Sequence, residues 1–298
     1  MEEIFMIEIR RMKEIEKVSA FISKMNLQPT QHVGYCGIDS EEIKHALSTD
    51  FSDLAFADSV IGAFQNRQLV GVLGLDIDKE SKEAEVWGPF IAHLEWHKVA
   101  EQMWKKLIEE LPFSLETVYG FYNVHNVNGN QFMESLGAVK SGEHSILQIS
   151  ANHLPLKTAS PVTIREMEKK DFQHIRYLHK ESFPNAYFSA DEMIKMHGET
   201  QKILVAELEQ HFCGYIFCEA DPKFAEGDIH FISVSPAFRN RGIGRELIIA
   251  GLDFLFSFQE IEVITLTVES DNNAALSVYR HAGFVEQHRL YAYNGKLL

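Results

Sequence analysis

Residues 235–247, SPAFRNRGIGREL, set two glycines among three arginines just where an amphipathic helix begins. Past Gly242 the apolar residues Ile243, Leu247, Ile248, Leu252 and Leu255 recur at helical spacing. Glycine inside a helix costs roughly 1 kcal/mol relative to alanine, so Gly242 and Gly244 ask for a reason. The first turn of a helix carries unpaired N–H groups and a partial positive charge, which suit an anion. Glycine lets a bulky phosphate reach those groups with no Cβ in between. Arg239, Arg241 and Arg245 add charge around Asn240 and Ile243. Such a stretch could hold a phosphate or pyrophosphate; a surface loop with solvated arginines is the plainer reading of the same residues. Two familiar phosphate loops fit less well. No GxxxxGK[ST] occurs here, and a dinucleotide fingerprint GxGxxG would need glycine where Leu247 stands.

The residues before the loop, DIHFISV (228–234), read as a buried strand. Alternation places Asp228, His230, Ile232 and Val234 on one of its faces. Asp228 and His230 could accept a proton, or be a turn residue and an ordinary core histidine. Downstream, SDNNAALSVYRHAGF (270–284) reads as a helix ending at a glycine. Tyr279 within it could donate a proton or simply pack on the sheet. Asn272 could touch a ligand, cap its helix, or do both.

Arg-x-x-Gly-x-Gly at 239–244, following a strand that ends in Val234 and then Pro236, resembles the acetyl-CoA loop of the GNAT N-acetyltransferase superfamily. The second stretch resembles that family's Asn-x-x-Ala-x-x-x-Tyr-x-x-x-Gly-Phe element, filled by Asn272, Ala275, Tyr279, Gly283 and Phe284. The resemblance covers about 162–298. It implies acetyl-CoA as co-substrate and no metal, with acyl-CoA lying between strands that end near Val234 and Val268 and splay apart. The pantetheine arm would pair with backbone at Ile232 and Val234 as an added strand does. The Val234 N–H would then donate to the developing oxyanion. Residues 239–245, with Asn272, Ala275 and Tyr279, would surround the CoA. Tyr279 becomes the acid for the leaving thiolate, its ordinary pKa of about 10 lying above a thiol's 8.5 or so. Asp228 or His230 becomes the base. The implied activity is N-acetyl transfer by direct attack of a small primary amine or peptide acceptor in a ternary complex. The alternative is a non-catalytic acyl-CoA-binding or regulatory module.

The elements that must position these residues occur twice. Residues 7–22 resemble 162–178, and 68–75 resemble 211–218 with Gly71 matching Gly214. Likewise 86–111 resemble 231–255, and 126–138 resemble 272–284 with Gly137 matching Gly283. A period this long marks two copies of a domain rather than a solenoid. The expected fold is α/β (α+β): two tandem GNAT-like domains, each a mixed, mostly antiparallel sheet flanked by helices. The expected boundaries are 1–150 and 161–298, with the seam at ANHLPLKTASP (151–161). The first copy sets His97-Lys98-Val99-Ala100 against Arg241-Gly242-Ile243-Gly244, Glu101 against Arg245, and Met133 against Tyr279. It is therefore expected to be a degenerate copy that binds no CoA. His93 and His97 read as a surface pair, since no third metal ligand stands out.

The bulk composition agrees with this. The chain has 298 residues and a net charge of −15, and neither half has the basic surplus of a nucleic-acid binder. Three cysteines without a CxxC indicate reduced thiols and a cytoplasmic location. No run of about 18 apolar residues suggests a membrane span, and the acidic start does not read as a signal peptide. A homodimer is compatible with this composition.

Overall fold

A computed structural model describes residues 7–49, 51–154 and 160–297. The chain forms two compact units, Met1–His144 with His288–Leu298, and Ser145–Gln287. In chain order the elements of the first half are β1 (Glu8–Arg11), α1 (Ile15–Asn26), α2 (Ser40–Thr49), α3 (Phe56–Ser59), β2 (Val60–Gln65), β3 (Gln68–Asp78), β4 (Glu83–Ile91), α4 (Trp96–Glu109), β5 (Thr117–Asn123), α5 (Val127–Ser135) and β6 (Val139–Ser150). The second half follows the same plan: β7 (Thr163–Glu166), α6 (Phe172–Ser182), α7 (Ala190–Met196), β8 (Gln201–Leu208), β9 (His211–Asp221), β10 (Glu226–Val234), α8 (Ile243–Leu255), β11 (Val263–Glu269), α9 (Asn273–His281) and β12 (Val285–Lys296). No helix among the described residues is long and apolar enough to cross a membrane.

Each unit borrows its last strand. The first has strand order β1-β2-β3-β4-β5-β12, the second β6-β11-β10-β9-β8-β7. β12 runs antiparallel to β5 from Leu290 opposite Asn123 to Lys296 opposite Thr117, and Tyr293 is buried in the first unit's core. The units therefore differ from a division at 1–150 and 161–298 on both sides: residues 145–150 go with the second unit, and residues 288–298 complete the first. The physical reason is that an alternating strand pattern specifies a face and leaves the edge it joins unspecified. Part of the expected seam, 155–159, lies outside the described residues.

In the second unit helices cover both faces of the sheet. α8 buries Ile243, Leu247, Ile248, Leu252 and Leu255 against one face. α6 and α7 bury Ile175, Leu178 and Met193 against the other. α7 starts with a capping box, Ser189 and Glu192 each bonding the other's backbone.

One irregularity decides where the chemistry can sit. Ile229 pairs with Cys218 and Phe231 with Phe217, so His230 is an extra residue on β10. The bulge reverses the alternation. Ile229 packs on the α8 side and Phe231 on the α6–α7 side, while Ile232 and Val234 return to the α8 side. His230 stacks on Phe217 with centroids 5.3 Å apart, and Phe217 belongs to the α6–α7 core. Asp228 is paired across the strands with Glu219, whose carboxylate reaches His230. Asp228, His230, Ile232 and Val234 therefore do not share one face as simple alternation predicts.

Gly214 holds this strand pair together beyond the bulge. A Cβ there would collide with the Ser233 carbonyl oxygen and lie 3.0 Å from Val234 Cα, both backbone atoms that cannot rotate away. Gly214→Ala is expected to lower the unfolding free energy by about 1–3 kcal/mol, as overpacking does. Urea denaturation with an unchanged midpoint would show that β9 and β10 can separate freely at this point.

Candidate active site

β10 and β11 run parallel, but Asp228 opposite Thr265 is the one registered pair among the described residues. Past that pair the strands part. On the opposite edge of β10, the Ser235 N–H donates to the Cys213 carbonyl at 2.8 Å. Main-chain groups alternate between the two edges of a strand, so those of Ile232 and Val234 point into the gap. The Val234 carbonyl accepts from Arg239 Nε at 3.1 Å.

The gap opens into a cavity of about 980 Å³. Its walls bring together most of the residues singled out above: Ile232, Val234, Arg239, Asn240, Gly242, Ile243, Gly244, Arg245, Asn272, Ala275 and Tyr279. Ser182 and Phe183, at the end of α6, close another side. Asp228, His230 and Arg241 are not among the lining residues. Arg241 instead lies over the Phe238 ring at 5.6 Å.

The two glycines differ in role. Gly242 caps α8 with φ 77°, a left-handed conformation that strains other residues. Gly244 lies inside the helix, where a Cβ would make only ordinary contacts, 3.6 Å to Val278 and 3.8 Å to Val234. Protein packing does not demand glycine there. The site lines the cavity at the first turn of α8, so what glycine preserves is access from the cavity to the turn's N–H groups. The loop thus leaves the helix start open to the cavity. Asn272 caps α9, its Oδ1 accepting from the Ala275 N–H at 3.1 Å.

Tyr279 is 7% exposed and packs edge-on against Phe284. Burial, with a smaller contribution from Cys218, raises its pKa well above that of an ordinary tyrosine. The hydroxyl stays protonated and available as a donor.

The two candidate bases lie on the opposite face. His230 Nε2 is 2.8 Å from Glu219 Oε2, and His230 Nδ1 is 3.0 Å from the Tyr187 hydroxyl. Burial raises the Asp228 pKa; His230 opposes the shift, and Glu219 and Asp221 reinforce it. Glu219 and Tyr187 were not foreseen. The β9–β10 register sets Glu219 opposite Asp228, so counting outward from the turn at 222–225 could have found it. Tyr187 lies in the connection before α7, where no periodicity signals a neighbour.

The first unit has the same strand gap and fills it. β4 and β5 are registered from Glu83 opposite Thr117 to Glu85 opposite Tyr119. Beyond that, residues 32–34 run antiparallel to β5. Gly34 N–H donates to the Phe121 carbonyl at 2.7 Å, and Asn123 N–H to the His32 carbonyl at 3.1 Å. β12 covers the other edge of β5, so this segment occupies the gap. Asn26 clamps it, its Oδ1 accepting the Val33 N–H at 2.7 Å and its Nδ2 donating to the Cys36 carbonyl at 2.8 Å. The Tyr122 hydroxyl donates across to the Gly88 carbonyl on β4. Met133, the counterpart of Tyr279, is fully buried in that core.

The second unit thus joins an open strand gap to a glycine-capped helix start in one cavity. Residues 163–284 match the acetyltransferase (GNAT) family. The chain is 33% identical over 130 residues to the N-alpha-acetyltransferase RimI of Mycobacterium tuberculosis, covering 42% of this chain and 78% of that one. It is 39% identical over 74 residues to a mycothiol acetyltransferase of Tsukamurella paurometabola, a match spanning about a quarter of each protein (25% of both). A GCN5-related N-acetyltransferase from Sphaerobacter thermophilus superposes with a TM-score of 0.70 at 14% identity, over 98% of this chain and 96% of that one. The chain belongs to the acetyltransferase (GNAT) family.

Two expectations follow from this geometry. Gly244→Glu should abolish CoA binding in titration calorimetry while leaving the circular dichroism spectrum intact, and the wild-type chain should bind one CoA, in the second unit. A second CoA per chain would mean that residues 32–34 leave the first unit's gap. The other concerns His32, which is 6% exposed, stacks on His288 at 3.9 Å, and has its pKa lowered to about 4 by burial and then by His288. Between about pH 6.5 and 4 the unfolded chain binds the proton that the folded one excludes, so stability falls as pH drops through that window. A shift of that size corresponds to roughly 3 kcal/mol. His32→Gln should flatten this acid limb in pH-dependent denaturation; an unaltered limb would show that His32 does not cause it.

Proposed function

We propose that this protein transfers an acetyl group from acetyl-CoA to a primary amine by direct attack in a ternary complex. The observation that carries the reading is one cavity joining three parts: a glycine-capped helix start, inward-facing backbone at Ile232 and Val234, and the Tyr279 side chain. Arg239, Gly242, Gly244 and Arg245 would hold the pyrophosphate, with Asn240, Ile243, Asn272 and Ala275 lining the rest of the CoA site and Arg241 adding charge at its rim. Backbone at Ile232 and Val234 would pair with the pantetheine amides, and the Val234 N–H would stabilise the oxyanion as it forms.

Tyr279 would hydrogen-bond the departing sulfur. Its raised pKa makes complete proton transfer to a thiolate uphill, so the hydroxyl acts chiefly as a donor that stabilises the developing negative charge. Asp228, with its pKa raised by burial, and His230, held by Glu219, are the groups able to receive the amine's proton. The acceptor would be a small amine or a peptide. Because the RimI relative is named an N-alpha-acetyltransferase, peptide N-termini belong in any substrate panel.

The test is a panel of amines and peptides with acetyl-CoA, read by release of free thiol. Acetylation of a panel member is expected. CoA binding without turnover across the panel would favour a regulatory acyl-CoA-binding module instead. On an active substrate, Tyr279→Phe should lower kcat by about tenfold or more while changing acetyl-CoA affinity little. An equal kcat, with chemistry rate-limiting, would remove Tyr279 from this role.

A further inference from the structure

We propose that Glu219, His230 and Tyr187 form a proton relay that neutralises the acceptor's ammonium group, with the exposed Tyr187 hydroxyl as its entrance. The inference rests on the acyl-transfer reading above and narrows the acceptor to a strongly basic alkylamine.

The hydrogen bonds suit a relay that runs inward from Tyr187. An ionised carboxylate only accepts hydrogen bonds, so the 2.8 Å contact with Glu219 places the imidazole hydrogen on Nε2. In the neutral ring Nδ1 then carries a lone pair, to which the Tyr187 hydroxyl donates across 3.0 Å. With its own hydrogen committed, the Tyr187 oxygen presents lone pairs outward, suited to an incoming N–H⁺. This is the carboxylate–imidazole–hydroxyl order of a catalytic triad, with tyrosine in the outer place.

The surroundings are consistent with that use. Tyr187 is 66% exposed although its hydroxyl is anchored. Its ring lies 4.9 Å from Phe231, which lies 5.0 Å from Phe183, a wall of the acyl-CoA cavity. The entrance therefore stands two ring contacts from the cavity. Around His230 the titratable groups are Glu219 from β9, Asp228 from β10 and Tyr187 itself, with Asp221 beyond Asp228; Phe188 and Phe217 close the remaining sides. Tyr187 has its pKa raised by burial, then by Asp228 and Glu219, so it passes a proton on without resting as phenolate.

The step balances. The ammonium gives one proton to the Tyr187 oxygen as the hydroxyl proton moves to His230 Nδ1. The neutral amine attacks the thioester carbon, the C–N bond forms, and the C–S bond breaks. The second amine proton follows the electron pair to the thiolate. His230 then returns its proton to solvent through Tyr187.

A proton relay matters only for an amine that arrives charged, and this separates it from a structural role. Tyr187→Phe and Glu219→Gln should lower kcat/KM for an alkylamine on the order of a hundredfold at pH 7. A weakly basic aromatic amine, already neutral at that pH, should be acetylated within about twofold of the wild-type rate. Acetyl-CoA affinity, measured by calorimetry on each variant, should equal that of wild type and so verify folding. Equal losses with both amines, or wild-type rates in both variants, would overturn the relay. Absence of acetyl transfer to any amine by the wild-type chain would instead bring down the acyl-transfer reading, and the relay with it.

Discussion

Backbone groups buried beside a parted strand must find partners, and the rest of this molecule is arranged around that requirement. Two adjacent parallel strands that diverge leave a row of N–H and C=O groups facing each other across a gap too wide to bond. The two units meet the requirement in opposite ways. In the first, residues 32–34 enter the gap and bond β5 from within the same chain. In the second, the groups of Ile232 and Val234 line a cavity that an extended, amide-bearing ligand could enter as an added strand.

The consequences reach beyond the gap. Filling it in the first unit requires Asn26 to clamp the inserted segment and the Tyr122 side chain to bridge to Gly88. The helix that follows has no glycine at its start: α4 begins at Trp96, whose side chain is buried. In the second unit the helix start remains accessible, through Gly242 in a left-handed conformation and Gly244 without a side chain. A duplicated fold thus carries one candidate site, because the site depends on local residues that only one copy kept.

The bulge at His230 is the second device. A strand with strict alternation would send Asp228, His230, Ile232 and Val234 to the same side. One inserted residue divides them, with main-chain groups and apolar side chains toward the cavity and the acidic and imidazole side chains toward the opposite face. Bulges recur beside active sites because they re-aim a side chain without ending the sheet. Here the effect is to place the acid–base side chains and the cavity-lining backbone on two sides of one strand.

Much of this was legible in the residues themselves. The glycine-arginine loop, the Asn272-to-Phe284 element, the doubling of the fold and the loss of the loop in the first copy all rest on local chemistry. Glycine is required where φ is positive or a close approach is needed, and a cap is required where a helix begins. Spacing along the chain records such needs directly. The exchange of β12, the reversed alternation beyond Ile229, the partner Tyr187, and the segment filling the first gap belong to tertiary structure alone. Each depends on which edge or face another part of the chain happens to meet. A strand pattern of period two encodes sidedness, but neither its neighbour nor a single inserted residue changes the composition that the pattern is read from.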